Sequence, residues 1–561
     1  MLNLRTDSAS DAPRLVAPPG ELTLLPLGGL GNIGMNNMLL GCDGQWVLLD
    51  AGVKFPGKAE PGADLVIPDF SVLSRLEGDF HGVVLTHGHE DHIGAVPFVL
   101  RERRVPIWGP PFALGLVHNR LREHSLSDVA LHPTAPGTPL KLGHFTFNFL
   151  RVTHSIPDCV SLAIRTPAGN MLFTGDFKID PGLPCGTRFD EQGYRAFGDE
   201  GVLLMMADST NIQRPGRTLS EKVVAKGLFE AIDACPGRVF IGLFSSNLYR
   251  VHGLLRAAEA TGRKVCMLGR SLRRYLDVAQ RTYPQLDLNG PFISERDIGR
   301  YADEELLFLC TGTQGEARAA LARIASGQHR VSVRDGDTLL MSARAIPGNL
   351  REIHDMFNGF SRGGAHIVFR NDPWPIHASG HAAYEELADV LRWIRPKFFV
   401  PVHGTRTFME DHADLAEDCG VERVRVIESG ELLRVSRDDI RTKGVVEMEQ
   451  SYYDGCRHGS RSSLGIKQRT EMAYNGAVSV CVHLRDEGPQ VFVQAEGTWT
   501  NGGALQKQVA TELQAYLRQL KELPEPALRE EVRILTRRLW RRATGKKPLV
   551  LTTLIGQGEL S

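Results

Sequence analysis

The sequence predicts a multidomain α/β protein, and three patterns carry that prediction. From about Glu21, short apolar runs of strand length recur, each stopped by a glycine-rich or acidic turn. Between about residues 220 and 345, helical periods alternate with apolar strands, as βαβ units on a parallel sheet require. The chain has 561 residues, more than one hydrophobic core can serve, so it must divide.

The elements follow in order. "ELTLLPLGG", "QWVLLDAG", "GVVLTHG", "HFTFNFLRVTHS", "GNMLFTGD" and "GVLLMMADST" each read as a strand ending in a polar loop. Histidines and aspartates gather at their C-terminal ends, where a rigid sheet can hold reactive groups on loops. After "RPGRTLSEK" the alternation begins, with "LSEKVVAKGLFEAIDACPG" before "RVFIGLFSSN" and "VHGLLRAAEATG" before "KVCMLGRS". The first character returns near residue 375 with "WPIHASGHA", a helix and "PKFFVPVHGT". A polar junction precedes strands "GAVSVCVHLRD" and "PQVFVQAEG", two helices and a last strand "KPLVLTTLIG". The expected boundaries are a disordered leader over 1–20, a first domain over 21–218, an insertion over 219–374 and a return to the first domain over 375–445. A linker over 446–460 and a C-terminal domain over 461–561 complete the chain.

Composition narrows the function classes. The formal net charge is −1, so no global field attracts a polyanion, and such affinity must come from local patches. No apolar run is long enough to span a membrane, and the N-terminus lacks a signal core. Nine scattered cysteines without a CxxC pair read as reduced thiols in a cytoplasmic protein.

The densest chemistry lies in "VVLTHGHEDHIGAVP", with His87, His89, Asp91 and His92. In a tight loop after a strand, alternate side chains can converge on two adjacent cations. Imidazole suits Zn²⁺ and Mn²⁺, and a carboxylate can bridge two ions. One loop cannot complete two coordination shells. His154 in "RVTHSIPD", Asp176 in "LFTGDFKID" and His403 in "FVPVHGT" stand at later strand ends as further ligands. Asp50 in "VLLDAG" can support a ligand from behind.

HxHxDH, the later histidine, "TGD" and "LLDAG" resemble the metallo-β-lactamase fold, an αβ/βα sandwich with its metals at the mouth between two sheets. Asp208 in "MADSTN", His381 in "ASGHA" and His403 in "PVHG" flank a large α/β insertion, and this order resembles the β-CASP nucleases. The match extends to the ribonuclease J family through "GGLGNIGMN", "LTHGHEDHIGA", "TGDFKID", "SSNLYRV", "CTGTQGE", "AIPGN", "SGHA" and "PVHG". The fold implied is a metallo-β-lactamase sandwich with an inserted β-CASP domain and a small C-terminal α+β domain. The family pattern departs at Asn32 and Met35, where Glu and Lys are usual, and at "MSARAIPGNL", Leu350 and Thr405. These departures fall on the RNA-end pocket rather than on a metal ligand.

By that resemblance His87, His89 and His154 bind one metal. Asp91, His92 and His403 bind the other, and Asp176 bridges the pair, held as Zn²⁺ with Mn²⁺ also suited. His381 is the general acid, with Asp208 holding its ring, and Asp91 counts among the catalytic groups as well as the ligands. Ser379, Gly380 and His381, with Asn349 near, would form the pocket for a terminal phosphate. Tyr249, Arg250 and Arg270, with Arg273 and Arg274, would line an RNA groove on the insertion. The implied activity is 5′-to-3′ exonuclease and endonuclease action on 5′-monophosphorylated single-stranded RNA, in mRNA decay and rRNA processing. The implied partners are a second copy or three, as homodimer or homotetramer, and proteins of an RNA-degradation complex. Two other readings compete: a hydrolase of a small ester or thioester, and a non-catalytic RNA-binding scaffold.

Overall fold

The computed structural model describes residues 13–369, 371–520 and 523–556. They fall into two compact units. One holds the chain up to Lys54 together with Pro68–Met448; the other holds Phe55–Ile67 with Glu449 onward.

The first unit contains two sheets sharing one core. The first sheet has eight strands, in the spatial order Ile440–Val445, Glu431–Val435, Leu22–Gly28, Asn37–Cys42, Gln45–Leu49, Asp79–Val84, Ile107–Gly109 and Leu131–Pro133. The second has seven, in the order Arg423–Val424, Phe398–Val402, Leu204–Asp208, Gly169–Phe173, Val160–Thr166, Phe145–Arg151 and Leu140–Leu142. Alternate residues from both meet in one apolar cluster. Leu24, Leu40, Val47 and Leu49 come from the first sheet; Phe147, Leu162, Met171, Met206 and Val400 come from the second. Central strands such as Leu22–Gly28 and Phe398–Val402 are buried along their whole length, which is why they read as continuous apolar runs.

The insertion forms its own sheet of six parallel strands. The order is Phe292–Ile293, Lys264–Leu268, Leu306–Cys310, Val239–Gly242, Thr338–Met341 and His366–Val368. Helices Ala320–Ala325 and Leu350–Arg362 cover it with Leu321, Ile324, Met356 and Phe360. Helix Glu221–Asp233, capped by Ser220, packs along helix Leu248–Ala260, capped by Asn247.

In the second unit, strands Ala477–His483, Gln490–Glu496 and Leu549–Ile555 form one sheet. Val480, Val509, Leu513 and Trp540 bury it against helices Ala504–Gln519 and Glu525–Thr544.

Three sequence expectations are corrected here. Of the expected leader, residues 1–12 lie outside the described residues, but 13–20 are ordered. Leu15 pairs with Leu76, and Leu15 and Ala17 are buried, because their backbones bond Arg75, Glu77 and Gly44. The linker expected over 446–460 contains an antiparallel pair, Ser451–Asp454 with Arg457–Gly459. Ser451–Asp454 also pairs with Leu65–Ile67, so the first domain is interrupted at 55–67 rather than continuous over 21–218. Local pattern does not announce a partner that lies almost 400 positions away. Among the described residues, no helix is long and apolar enough to cross a membrane.

Candidate metal centre

The ligand loop is set by what precedes and underlies it. Strand Asp79–Val84 ends just before Thr86, and His89 then caps the short helix Glu90–Ile93. Two neighbouring segments are stitched to that turn. Ala51 N–H donates to His92 O, Val53 N–H to Glu90 O, and Asn36 N–H to Asp91 O. A Cβ on Gly52 would stand 1.6 Å from Asp91 O, so glycine is required for this close approach. In this chain, then, "LLDAG" props the HxHxDH turn from below.

The first sheet thus brings Asp50, His87, His89, Asp91 and His92 to one end. The second brings His154, Asp176, Asp208 and His403 to the same place from the ends of its own strands. Asp50 and His403 hold positive φ, 59° and 54°, where non-glycine residues are uncommon and often functional.

The donor atoms converge in two overlapping groups. In the first, His89 Nδ1 lies 3.1 Å from His87 Nε2 and 3.1 Å from His154 Nε2. Asp176 Oδ2 is 3.7 Å from His87 Nε2 and 3.8 Å from His154 Nε2. In the second, His92 Nε2 is 3.3 Å from Asp176 Oδ1 and 3.8 Å from Asp91 Oδ2, and His403 Nε2 is 3.2 Å from Asp91 Oδ2. Ligands about 2.0–2.2 Å from a tetrahedral ion sit about 3.3–3.6 Å apart, so this spacing fits a divalent cation in each group. Asp176 turns one oxygen to each group, and its buried Oδ1 has no hydrogen-bond partner among the described residues. With the rings of His92 and His403 beside it at 3.3 and 3.7 Å, this buried oxygen still has a lone pair free for a cation.

The far side of each ring is tied, which aims the near side. His92 Nδ1–H donates to Asp50 Oδ2 at 2.8 Å. Asp50 also accepts from Thr86 N–H and Thr86 Oγ1–H, both at 2.8 Å, and Thr86 Oγ1 accepts from His87 Nδ1–H at 3.0 Å. His154 Nδ1–H donates to Gly380 O at 2.6 Å. His403 Nδ1–H points at Thr210 Oγ1 and at Asp208 Oδ1, the latter 3.3 Å away. Such outer bonds fix the tautomer that leaves a lone pair toward a metal.

The electrostatics divide the centre. Burial, reinforced by neighbouring imidazoles, pushes His87 and His154 well below the usual histidine range, and burial brings His89 to about 4. These three are neutral and ready to ligate. At His403, burial also opposes charge, but Asp176, Asp208 and Asp91 outweigh it and raise the ring to about 10. His92 is raised well above its ordinary value by Asp176, Asp50 and Asp91 against the same penalty. The carboxylates that raise these two rings are the same negative charges that a cation would meet.

His381 stands beside the centre. Its Nδ1–H bonds Asp208 Oδ2 at 2.7 Å, and its ring stacks on His403 with centroids 5.5 Å apart. Its side chain keeps 20% exposure while Asp208 keeps 1%. Burial lowers the tendency of His381 to charge, and Asp208 more than restores it.

All nine predicted metal-centre and acid–base residues, with Asp50, are therefore brought together. Of the predicted RNA-contact residues, only Ser379, Gly380 and His381 join them. Ser379 and Gly380 adjoin the centre through His154 and His381. Asn349 closes a turn on Ile346 O, and no hydrogen bond joins it to Ser379, Gly380 or His381 among the described residues. Tyr249 and Arg250 are buried, each 3% exposed, which leaves neither a free face for RNA. Both lie on the inward stripe of helix Leu248–Ala260. Arg270 and Arg273 are exposed at the start of helix Arg270–Thr282, and Arg274 pairs with Glu123 at 2.9 Å. Sequence reasoning missed Thr86, Thr210 and Asn36. Asn36 Nδ2 lies 2.9 Å from His92 Nε2 and 3.3 Å from Asp91 Oδ2; its only signal was its place in the glycine-rich "GGLGNIGMN".

Two facing sheets with a histidine–aspartate cluster at their shared end define a metallo-hydrolase of the metallo-β-lactamase superfamily, whose family model matches residues 34–209. Two further family models match: "Ribonuclease J, beta-CASP domain" over 236–360 and "Zn-dependent metallo-hydrolase RNA specificity domain" over 375–426. The chain belongs to the ribonuclease J family. It is 36% identical over 556 residues to ribonuclease J of Sinorhizobium meliloti, covering 95% of this chain and 97% of that protein. It is 34% identical over 553 residues to ribonuclease J of Thermus thermophilus, covering 96% of each. A solved protein of unknown function from Enterococcus faecalis shares the fold, with a TM-score of 0.51 at 16% identity, over 74% of this chain and 100% of that one.

Proposed function

We propose that the protein is a metal-dependent ribonuclease that degrades 5′-monophosphorylated single-stranded RNA from the 5′ end and also cuts internally. The observation that carries this reading is Asp176. One buried carboxylate divides its oxygens between two ligand groups, with an acid–base pair 2.7 Å across, His381–Asp208, beside it. When bound, two divalent cations, Zn²⁺ or Mn²⁺, supply a nucleophilic water at neutral pH and positive charge against the scissile phosphate.

The chain's own groups do the rest. His87, His89 and His154 would hold one cation, Asp91, His92 and His403 would hold the other, and Asp176 would serve both. His381 commits Nδ1 to Asp208, which leaves Nε2 to protonate the departing 3′ oxygen. Asp208 orients the ring and favours the imidazolium that must deliver the proton. Ser379 Oγ accepts from His381 N–H at 3.1 Å, leaving its own proton for a phosphate oxygen at the RNA end. Asn349 and the exposed Arg270 are the remaining contacts proposed for RNA. Family resemblance supports a homodimer or homotetramer, partners in a degradation complex, and roles in mRNA decay and rRNA processing in the cytoplasm.

The test uses 5′-monophosphorylated RNA labelled at its 5′ end, with Mn²⁺ or Zn²⁺, on wild type, His89→Ala and His381→Ala. Immediate release of labelled mononucleotide, lost in both variants, is expected. Longer labelled fragments, lost in the same variants, would mean cleavage is internal. No cleavage by metal-loaded wild type would sink the reading and favour a small ester or scaffold role.

A further inference from the structure

Arg250 sits in the first turn of helix Leu248–Ala260, in the inserted domain, yet its bonds lead to the metal-centre loop. All five guanidinium protons are used. Nε–H and one Nη2–H go to Glu221, at 3.2 and 2.6 Å. The second Nη2–H goes to Ala378 O at 3.1 Å. The two Nη1–H groups go to Ser342 O and His377 Nδ1, each at 2.9 Å. A planar fork can satisfy such a set; an ammonium cannot.

What the fork holds is the stretch Ala378–His381. Two residues past Ala378, Gly380 O fixes the ring of His154. Three past it, His381 meets Asp208. A Cβ on Gly380 would come within 2.7 Å of His154 Cε1, so this loop lies against the centre with no slack. Behind the fork, Glu221 is itself anchored. Lys178 Nζ is 3.7 Å from Glu221 and 2.9 Å from Asp180, and Asp180 Oδ2 accepts Glu221 N–H at 2.8 Å. Lys178 lies two residues after Asp176 and bridges Thr153, the neighbour of His154. Two buried cations and two buried carboxylates thus tie the inserted domain to both sides of the centre. Once formed, such a cluster tolerates little displacement, because breaking one partner strands a buried charge.

We propose that Arg250 is a positioning residue: from the inserted domain, its buried fork sets the Ala378–His381 loop and so fixes where His381 stands over the metal centre. The inference rests on the reading of His381 as the proton donor. Arg250 is buried and bonds none of the candidate metal ligands, so it acts through that ring.

The test is a double-mutant cycle on RNA cleavage with wild type, Arg250→Lys, His381→Ala and the double variant, each metal-loaded, with bound metal measured. Arg250→Lys is expected to lower kcat about 10–100-fold, since small misplacement of a catalytic group costs that much, with KM within about twofold and bound metal unchanged. In the His381→Ala background the same change is expected to cost less than twofold. A purely structural role would remove activity by the same factor in both backgrounds, or would act through KM or metal loss, and any of these overturns the proposal. Should His381→Ala alone keep near-wild-type kcat, the proton-donor reading has failed, and the positioning role with it. Should Arg250→Lys not fold, Glu221→Gln, which keeps an acceptor for the fork, carries the same cycle. A smaller kcat loss that vanishes in the His381→Ala background supports the proposal, and an equal loss in both refutes it.

Discussion

Asp50 shows how much of the centre depends on a residue that binds no metal. Its carboxylate takes three bonds, two from Thr86 and one from His92, and Thr86 in turn aims His87. Asp50→Ala removes the acceptor behind His92 and frees Thr86, the acceptor behind His87. Metal affinity is expected to fall about 10–100-fold, the usual cost of losing an outer partner, measured by calorimetric titration of metal into chelator-stripped protein. Unchanged affinity would mean that the loop backbone alone aims the rings. The clustering of the candidate ligands was legible in the sequence, because histidine and aspartate at strand ends in this spacing have few other uses. The outer partners were half legible. Asp50 announced itself by its motif. Thr86 and Thr210 did not, since a threonine next to a histidine carries no signal until its hydroxyl is seen bonded. Arg250 misled for a physical reason: composition treats arginine as a surface residue, and only the packed helix reveals that all five of its donors are spent inside.

Turns between elements decide whether those residues meet. Gly52 follows strand Gln45–Leu49 by three positions, and its missing Cβ lets the chain pass against Asp91. Gly52→Ala must push the two backbones apart, which lengthens the Ala51–His92 and Asn36–Asp91 bonds that hold the loop. Loss of at least one bound metal is expected, together with a lower melting temperature, read by metal analysis and calorimetry on the same preparation. Full metal content would show that the loop can relax without opening. The strands of both large sheets were readable because buried runs and glycine-rich turns are local features. The pairing of Leu65–Ile67 with Ser451–Asp454 was not, and neither was the Leu15–Leu76 bridge. Each element there is four residues or fewer, of unremarkable composition, and its stability comes from a distant partner.

Across the whole molecule, buried neutral histidines make stability depend on pH apart from any metal. His412 lies inside helix Arg406–Asp418, fully buried, against Phe399 and within 3.0 Å of Ser209 Oγ. Its Nε2 has no hydrogen-bond partner among the described residues, so a proton there would place a charge in the core. Burial accordingly lowers it to about 3, against about 6.5 in an unfolded chain. Between those values the unfolded chain holds the extra proton. The stabilisation from a neutral His412 is therefore full above about pH 6.5 and is lost as pH falls toward 3. At pH 5 the loss is about 2 kcal/mol for this residue alone. The ligand histidines also take up protons over this range, so the informative quantity is a difference between proteins. Urea unfolding of wild type and His412→Gln at pH 7.5 and pH 5 isolates it. Wild type is expected to lose about 2 kcal/mol more than the variant between the two pH values, because glutamine fills the site without titrating. Equal losses would mean that His412 is charged in the fold, paired through Ser209 with a carboxylate such as Asp208, and the apolar account of this helix would have to be abandoned.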